Sequence, residues 1–420
     1  MMSDRNESGH AAAHGLKPSR RAALAGGAAL AGLAALPGRA RADTVTLPFA
    51  NGERPIVPAG TFPQKGEMIL QRTRPPLLET PFAVFRDHLY TPNDLTFVRW
   101  HLGDVPTSVD PATYRLRIGG AVKRPYELTL EELVRGFTHR RMAAVNQCAG
   151  NSRGLIEPRV AGAQWGNGAM FNAIWTGVPL RALLARAGVS PKATHVAFRS
   201  LESGGIFPPD AQFEKALPIR RANDGVTMVA FRMNGAYLPL LNGYPVRLVV
   251  PGWFSTYWMK MLTEIEVLEY PSTDFWMAKA YRIPDRPDGG MRPGEAGVPM
   301  VPIGPMRPRS FFTSVTDGTR LPTPGAVTLR GFGFGGRTAL RAITVSIDGG
   351  KNWRAATLGP DHGPYGFREW HAVTRFPKAG DYRLMVRASN AAGDTQPMRA
   401  VWNPGGYLYN PVERVDVMVG

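Results

Sequence analysis

Across the middle of the chain, the spacing of apolar positions switches repeatedly between strand and helix periods. Residues 114–118 alternate apolar and polar side chains at period two, which predicts a strand. Residues 129–132 form a capping box that opens a short helix. Residues 178–187 place their leucines on one helix face and are followed by Gly188, a stop signal. This alternation predicts a mixed α+β domain over residues 94–285.

The pattern changes on either side of that domain. Residues 43–93 are rich in Pro and show no sustained apolar period, which indicates an irregular wrapping segment without a core of its own. Residues 286–308 are dense in Pro and Gly and are expected to cross to a second domain. Residues 309–420 carry short alternating strands with a hairpin turn at residues 348–350, Asp-Gly-Gly. Short strands at this spacing predict a β-sandwich of immunoglobulin type.

Composition places the chain among globular proteins with more than one domain. Its 420 residues are 44% hydrophobic and 10% aromatic, which is too apolar for a disordered chain. The formal net charge of +17 predicts attraction to an anionic partner, but the basic residues are dispersed and no nucleic-acid recognition module is evident. Cys148 is the only cysteine, so the chain has no internal disulfide and no attachment motif for a c-type haem.

The first 42 residues have the pattern of an export signal. Ser19-Arg20-Arg21 precedes the uncharged stretch 22–38, and Ala40-Arg41-Ala42 supplies an A-x-A cleavage pattern. A transmembrane anchor is the rival interpretation, but Ala and Gly dominate the stretch, which is shorter than the roughly 20 apolar residues of a span. We therefore expect a twin-arginine signal over residues 1–42, a periplasmic protein without a membrane span after cleavage, and a cofactor inserted before export.

Two recognisable patterns receive structural interpretations. Residues 331–336 match G-x-G-x-x-G, but strand patterns follow them where a dinucleotide-binding motif needs a helix. We interpret this segment as a strand with close backbone packing. The six histidines that follow the predicted signal show no His-x-x-x-His spacing, so a zinc site built on histidines is not expected.

The residues around Cys148 favour a reactive or metal-binding thiol over a buried hydrophobic one. A lone thiol is commonly either a small buried hydrophobe or a reactive group. Residues 146–154 are polar and punctuated by glycine, unlike a core segment, and Arg153 is near enough in sequence to favour a thiolate. A soft thiolate suits a transition metal, and no Cys-His-Asn protease context accompanies it. The loop therefore favours metal ligation by Cys148 over the buried-hydrophobe interpretation.

Several segments together resemble the sulfite oxidase family of molybdopterin enzymes. The segments that carry the resemblance are 97–101 (FVRWH), 146–153 (NQCAGNSR), 167–169 (NGA), 175–180 (WTGVPL), 242–252 (NGYPVRLVVPG) and 276–282 (WMAKAYR). The resemblance implies a molybdopterin domain followed by an immunoglobulin-like domain that mediates dimer contacts in this family. Residues 44–55 and 402–404 look like the periplasmic sulfite dehydrogenases of the family, whose molybdenum subunit works with a separate c-type cytochrome.

The family pattern implies a role for each matched residue. The implied roles are Cys148 as the molybdenum ligand; Arg99, Arg153 and Tyr281 in the substrate pocket; His101, Arg247 and Lys260 at the pterin or its phosphate; and Trp165 and Arg368 at further pocket positions. Asn242 departs from the pattern, because animal members carry a pterin-contacting His there. The chemistry agrees, since guanidinium groups hold a small oxyanion by directed, charge-assisted hydrogen bonds.

The function implied by the resemblance is oxidation of sulfite to sulfate at a molybdenum-molybdopterin centre. Two electrons would pass singly to a separate c-type cytochrome, in a homodimer or in a heterodimer with that cytochrome. One alternative keeps the cofactor and changes the substrate, as in a sulfane dehydrogenase, a nitrate reductase or a methionine sulfoxide reductase; the other is a non-enzymatic exported binding protein. Nitrate reductases depart from the pattern at the pocket arginine, Arg153 here, and the methionine sulfoxide reductases lack the C-terminal domain.

Overall fold

Strands dominate the fold, which is a computed structural model describing residues 43–46, 53–204, 212–322 and 325–420. The predicted signal over residues 1–42 lies outside these ranges. In chain order the strands are β1 Thr44–Thr46, β2 Glu53–Val57, β3 Met68–Arg72, β4 Leu77–Glu79, β5 Val98–Arg99, β6 Arg115–Gly120, β7 Tyr126–Thr129, β8 Arg140–Gln147, β9 Met170–Pro179, β10 His195–Ser200, β11 Lys215–Pro218, β12 Met228–Met233, β13 Ala236–Tyr237, β14 Arg247–Val249, β15 Leu262–Leu268, β16 Arg282–Pro284, β17 Met300–Pro302, β18 Arg309–Phe312, β19 Arg320–Leu321, β20 Ala326–Phe334, β21 Leu340–Ser346, β22 Arg354–Ala355, β23 Thr357–Leu358, β24 Arg368–Arg375, β25 Gly380–Asn390 and β26 Glu413–Val419. The α-helices are α1 Val84–Asp87, α2 Leu130–Arg135, α3 Leu180–Ala187, α4 Ile219–Ala222 and α5 Phe275–Ala278, and the 3-10 helices are Asn93–Leu95, Arg153–Leu155, Leu240–Asn242 and Ser255–Tyr257.

Two sheets form the region predicted as α+β. One has the strand order β11-β10-β15-β6-β7, in which β15 and β6 run parallel. The other has the order β13-β12-β9-β8, with β14 also paired to β12. The α+β expectation fits only loosely, because the longest helix of the described residues, α3, has eight residues. No helix within the described ranges is long and apolar enough to cross a membrane.

Local sequence signals act as predicted at two helices of this region, α2 and α3. The Thr129 hydroxyl accepts from the backbone N–H of Glu132 at 3.1 Å, and the Glu132 carboxylate accepts from the backbone N–H of Thr129 at 2.8 Å. Helix α3 buries its three leucines and ends at Gly188, whose φ of 72° lies in the left-handed region. The capping box and the helix stop are therefore confirmed.

The N-terminal segment is more regular than its sequence suggests. Strands β1 to β4 continue into β5 as one five-stranded sheet. The interpretation of residues 43–93 as irregular is wrong in this respect, because strands of three to five residues are too short to show an apolar period. Met68 and Leu78 of this sheet pack with Leu241 and Met261, so the segment shares its core with the later chain.

A second domain follows the crossing segment. Its two sheets have the orders β18-β20-β24-β23 and β19-β26-β25-β21-β22, and side chains from both sheets, such as Leu329 and Leu384, join one buried cluster. The turn predicted at residues 348–350 connects the antiparallel strands β21 and β22. Residues 331–334 lie within β20, so the G-x-G-x-x-G segment begins as a strand, as predicted.

The two domains pack against each other through aromatic side chains. Phe85 lies 5.9 Å from Phe311 and 6.0 Å from Phe367, measured between ring centroids. These residues belong to the large buried cluster that also contains Cys148. The described residues from 43 to 420 accordingly form one compact unit, which fixes the C-terminal domain beside the residues that the next section describes.

Candidate active site

Cys148 lies at the end of a central strand. Strand β8 pairs with β9 along its whole length and ends at Gln147, so the following residue leaves the sheet. The backbone N–H of Cys148 donates to the carbonyl of Ala169 at 2.9 Å, and the Cys148 carbonyl accepts from the N–H of Asn151 at 3.0 Å. The residue is buried, with 5% of its surface exposed. Backbone bonds that do not involve sulfur therefore set the position of the thiol.

The C-terminal domain holds the loop that follows Cys148. Arg309 at the start of β18 donates to Ser152 Oγ at 2.9 Å and to Asn167 Oδ1 at 2.8 Å. Ser152 in turn donates to Asn167 at 2.6 Å. Because Arg309 is itself buried, these bonds are shielded from water and stabilise the loop across the two domains.

Residues from distant parts of the sequence line one cavity beside Cys148. The space in which the centre of a water-sized sphere fits is about 30 Å³. Its described lining includes three cationic side chains and no acidic one. The predicted site residues in this lining are Arg99, His101, Cys148, Asn242, Arg247, Lys260 and Tyr281. The fold therefore brings together most of the residues that the resemblance singled out.

Two of the cations are enclosed by protein. Burial lowers the pKa of Arg247 to about 9 and that of Lys260 to about 8, against the opposing charge of Glu202 in the second case. Arg247 donates to the carbonyls of Asn242 and Trp258, both at 2.9 Å. Both groups stay mainly protonated at neutral pH. A buried cation without an ionic partner is costly, so an anion in the cavity would stabilise Arg247.

Arg99, His101 and Tyr281 form a second cluster in the cavity wall. His101 Nε2 lies 2.7 Å from Tyr281 Oη, and the guanidinium carbon of Arg99 lies 5.9 Å from the centroid of the Tyr281 ring. Burial, with the charge of Arg99, lowers the pKa of His101 well below its usual value. Burial also raises the pKa of Tyr281. At neutral pH the histidine is therefore neutral and the tyrosine is protonated.

Four side chains that the sequence did not indicate contact this cluster. Glu202 lies 3.2 Å from His101 and 3.4 Å from Lys260, Phe213 stacks on His101, Tyr407 stacks on Tyr281, and the ammonium of Lys215 lies 5.2 Å from the centroid of the Tyr281 ring. The only available signal for Glu202 is its polar, glycine-rich surroundings in residues 200–205, which indicate a loop. That signal does not say which residue the loop meets.

Arg153 lies behind the cavity and does not line it. Its Nη1 donates to the carbonyl of Ala163 at 2.9 Å, and its Nε donates to the carbonyl of Gly405 at 3.0 Å. Its guanidinium carbon lies 5.3 Å from the centroid of Tyr407. A Cβ built on Gly150 would lie 2.3 Å from Nη2, so the charge is pressed against the loop after Cys148. In the structure, Arg153 therefore stabilises the loop that follows Cys148.

The two further pocket positions differ in their placement. Trp165 is fully buried and meets Phe97, a cavity residue, edge to face at 6.4 Å. Arg368 is not brought to the cavity, because its Nε donates to the carbonyl of Gly359 at 2.9 Å and its Nη1 lies 3.5 Å from Asp361. The sequence placed Arg368 at a further pocket position, and the structure corrects this. The arginine is paired with Asp361 on the second domain and is not part of the cavity lining.

The polar atoms of the cavity suit an anionic cofactor. Among the described residues, buried cavity atoms without a hydrogen-bond partner are Arg99 Nη1, Asn146 Nδ2, Asn242 Oδ1, Arg247 Nε and Thr256 Oγ1, besides His101 Nδ1, which faces Glu202. Buried polar atoms are normally paired, so these atoms mark the position of a polar ligand. With the Cys148 thiol and three cations, the donor set fits a metal carried by a phosphate-bearing organic cofactor. Within the described ranges, no group of three or more His, Cys, Asp and Glu side chains could hold a metal.

Known proteins share both domains. Residues 102–276 match the oxidoreductase molybdopterin binding domain, and residues 303–420 match the Mo-co oxidoreductase dimerisation domain. Sulfite oxidase from Gallus gallus is 31% identical over 372 residues, which cover 83% of this chain and 78% of that protein. This chain belongs to the sulfite oxidase family. It spans about two thirds of the length of the mammalian sulfite oxidases that it matches.

The proteins similar to this chain are named for different substrates. The crystal structure of the sulfane dehydrogenase SoxCD from Paracoccus pantotrophus matches with a TM-score of 0.66 and 26% identity, covering 81% of this chain and 83% of that chain. Nitrate reductase [NADH] from Solanum lycopersicum is 30% identical over 367 residues, 81% of this chain and 40% of that protein. As a member of the sulfite oxidase family, the protein is a molybdenum-molybdopterin oxidoreductase.

Proposed function

We propose that this oxidoreductase converts sulfite to sulfate. The observation that supports the proposal is a single cavity that combines the thiol of Cys148, the guanidinium of Arg99 and the His101–Tyr281 pair, with no acidic side chain in its described lining. The overall reaction consumes sulfite and water and yields sulfate, two protons and two electrons. When bound, the molybdenum centre supplies the oxygen transfer to sulfur and takes up both electrons.

The residues of the cavity divide this work by their chemistry. Cys148 would ligate the metal, because a soft thiolate suits it. Arg247 and Lys260 would hold the pterin and its phosphate, and the neutral His101 would position Tyr281 through the 2.7 Å bond. Arg99 Nη1 is buried and has no protein partner, so it is available to bind an oxyanion by a charge-assisted hydrogen bond. Binding the oxygens in this way leaves the sulfur lone pair free to react.

Steady-state kinetics with sulfite test this proposal. We expect the cofactor-loaded enzyme to reduce cytochrome c in the presence of sulfite, with two cytochromes reduced for each sulfite consumed, because each haem accepts one electron. The same preparation without molybdenum should be inactive. Cofactor-loaded enzyme that reduces no acceptor with sulfite would contradict the proposal.

Sulfane oxidation is the second candidate, and the match to the sulfane dehydrogenase structure favours it. A sulfane substrate is sulfur bound to sulfur, and this group lacks the three oxygens that an arginine can hold. Rapid oxidation of a protein-bound or small-molecule persulfide by enzyme that is inactive with sulfite would support this candidate. A non-enzymatic binding role would leave both substrates untouched.

We propose that the protein is exported folded to the periplasm by its twin arginines. Changing both Arg20 and Arg21 to Lys should leave cofactor-loaded enzyme in the cytoplasm, because the export machinery reads that pair in the signal. Cell fractionation with a molybdenum assay of each fraction measures the outcome. A variant with both arginines retained and Ser19 changed to Ala is the matched control, and normal export of the double lysine variant would contradict this routing.

We also propose the assembly of the protein. The match of residues 303–420 to a dimerisation domain supports a dimer, and the absence of a c-type haem motif in the sequence supports a separate c-type cytochrome as electron acceptor. The sheet orders β18-β20-β24-β23 and β19-β26-β25-β21-β22 support an immunoglobulin type for the C-terminal sandwich, since they correspond to strand sets A-B-E-D and A′-G-F-C-C′. Size-exclusion chromatography with light scattering, with and without the cytochrome, measures the assembly.

A further inference from the structure

Glu202 is a carboxylate buried among hydrogen-bond donors beside the cavity. Its side chain has no solvent exposure. One oxygen, Oε1, accepts the backbone N–H groups of His101 and, at 3.0 Å, of Leu102, while Oε2 lies 3.4 Å from Lys260 Nζ. Burial alone would raise the pKa of Glu202, but the charge of Lys260 and the contacts with His101 outweigh burial and hold the pKa well below its usual range. The carboxylate is therefore ionised and surrounded by donors.

The imidazole of His101 lies between this carboxylate and Tyr281. Its Nδ1 is 3.2 Å from Glu202 Oε1, and its Nε2 is 2.7 Å from Tyr281 Oη. Nδ1 makes no regular hydrogen bond at this distance, so the contact acts mainly through charge. Phe213 stacks on the ring at 3.6 Å between centroids, with 15° between the planes, and Trp276 meets the ring at 5.2 Å. These aromatic side chains oppose rotation of the imidazole out of its plane.

The contacts decide which nitrogen of the neutral imidazole carries its one proton. A lone pair on Nδ1 would face the ionised Glu202 at 3.2 Å and would be repelled, whereas an N–H there is attracted. With the proton on Nδ1, Nε2 can only accept. The hydroxyl of Tyr281 must then donate in the 2.7 Å bond.

We propose that Glu202 is a positioning residue that fixes His101 as its Nδ1–H tautomer. The Tyr281 hydroxyl then donates its hydrogen bond to His101 Nε2. The Tyr281 oxygen then presents a lone pair to the cavity, and Arg99 supplies the donor that an oxyanion substrate needs. This assignment rests on the proposed function only for the identity of that substrate, since the proton positions follow from contacts within the chain.

The proton position can be measured by nitrogen-15 NMR of the cofactor-loaded, fully oxidised enzyme labelled with 15N-histidine. The N–H nitrogen and the lone-pair nitrogen of a neutral imidazole resonate far apart. The His101 signals are those that disappear in a His101→Gln variant. We expect a single Nδ1–H form at neutral pH. An Nε2–H form in the wild-type enzyme would overturn the proposal without any change at Glu202.

Two variants test whether Glu202 is the cause. Glu202→Leu removes both oxygens and should turn the single Nδ1–H form into a mixture containing Nε2–H. Glu202→Gln keeps an acceptor oxygen but removes the charge and, as the milder change, should introduce a smaller Nε2–H fraction. The control Glu264→Gln, which removes a carboxylate paired with Arg117 and Arg199 outside the cavity, should leave His101 unchanged. A folded Glu202→Leu or Glu202→Gln variant with only the Nδ1–H form would overturn the role of Glu202.

Sulfite kinetics on the same preparations separate this inference from the proposed function. Glu202→Gln should lower kcat by roughly ten-fold at unchanged molybdenum content, because a residue that orients a pocket histidine acts on turnover. If the wild-type enzyme does not oxidise sulfite, the proposed function fails while the tautomer result stands. If the enzyme is active and Glu202→Gln turns over sulfite as fast as the wild type, the positioning role fails while the proposed function stands.

Discussion

Replacing Cys148 by serine should leave a folded protein that no longer oxidises sulfite. The fold should survive because the bonds that place this residue, from its N–H to Ala169 and from Asn151 to its carbonyl, are backbone bonds. The reaction should fail because a hard hydroxyl is a poor substitute for a soft thiolate at molybdenum. Metal analysis, thermal melting and sulfite kinetics on one preparation of Cys148→Ser measure all three consequences.

The matched control for this variant is Ser389→Ala, a change of similar size on the second domain, away from the cavity. It should retain full molybdenum content and activity. The informative comparison is between the melting temperatures of the two variants, which should lie close to that of the wild type. Full activity in a folded, molybdenum-loaded Cys148→Ser enzyme would remove Cys148 from the site.

Where the sequence predicted structure well, the determinants were local. The reciprocal hydrogen bonds of Thr129 and Glu132 involve groups three residues apart, and the end of α3 depends on the left-handed backbone of Gly188 next to it. The strand at residues 331–334 could be recognised for the same reason, because the residues that follow it have strand patterns. Each of these features is determined within about ten residues, which is the reach of a periodicity argument.

The N-terminal sheet was missed because its determinants are not local. Strand β5, only two residues long, completes that sheet by pairing with β4. The cluster beneath it depends on Leu241 and Met261, far along the chain. Short strands with distant partners leave no period in the sequence, so packing that is specified elsewhere determines them.

The sequence predicted most residues of the site but not the contacts between them. The resemblance supplied Arg99, His101 and Tyr281, which the fold brings to one cavity. It did not supply Glu202 or Tyr407, because a single carboxylate or tyrosine in a glycine-containing loop has no pattern of its own. Their importance follows from contacts with residues about a hundred or more positions away, and only the folded chain contains that information.

The sequence and the structure assign different roles to Arg153. Its replacement should have the second large effect on sulfite oxidation. The resemblance implies a substrate contact, whereas the structure places the guanidinium against the carbonyls of Ala163 and Gly405 and beside Tyr407. A charge-assisted hydrogen bond contributes about 1.5–3 kcal/mol, and each ~1.4 kcal/mol is a factor of ten. Arg153→Gln should therefore lower kcat/KM for sulfite by roughly ten- to a hundred-fold.

Whether the fall in kcat/KM comes from a raised KM or from lost molybdenum distinguishes the two roles of Arg153. Arg153→Lys is the matched variant, because lysine keeps the positive charge but lacks the planar set of donors of a guanidinium. If the charge attracts the oxyanion, Arg153→Gln should raise KM at intact molybdenum content while Arg153→Lys stays nearer the wild type. If the guanidinium mainly supports the loop after Cys148, both variants should melt earlier and lose molybdenum, since either carbonyl left unpaired costs about 1–3 kcal/mol. We expect Arg153→Gln to lose part of its molybdenum and to show a raised KM in the fraction that keeps it, because the Nη1 and Nε of Arg153 are committed to backbone while its charge still lowers the pKa of Tyr281. Unchanged sulfite kinetics in a molybdenum-loaded Arg153→Gln enzyme would eliminate the substrate role and leave Arg99 as the arginine that binds the oxyanion.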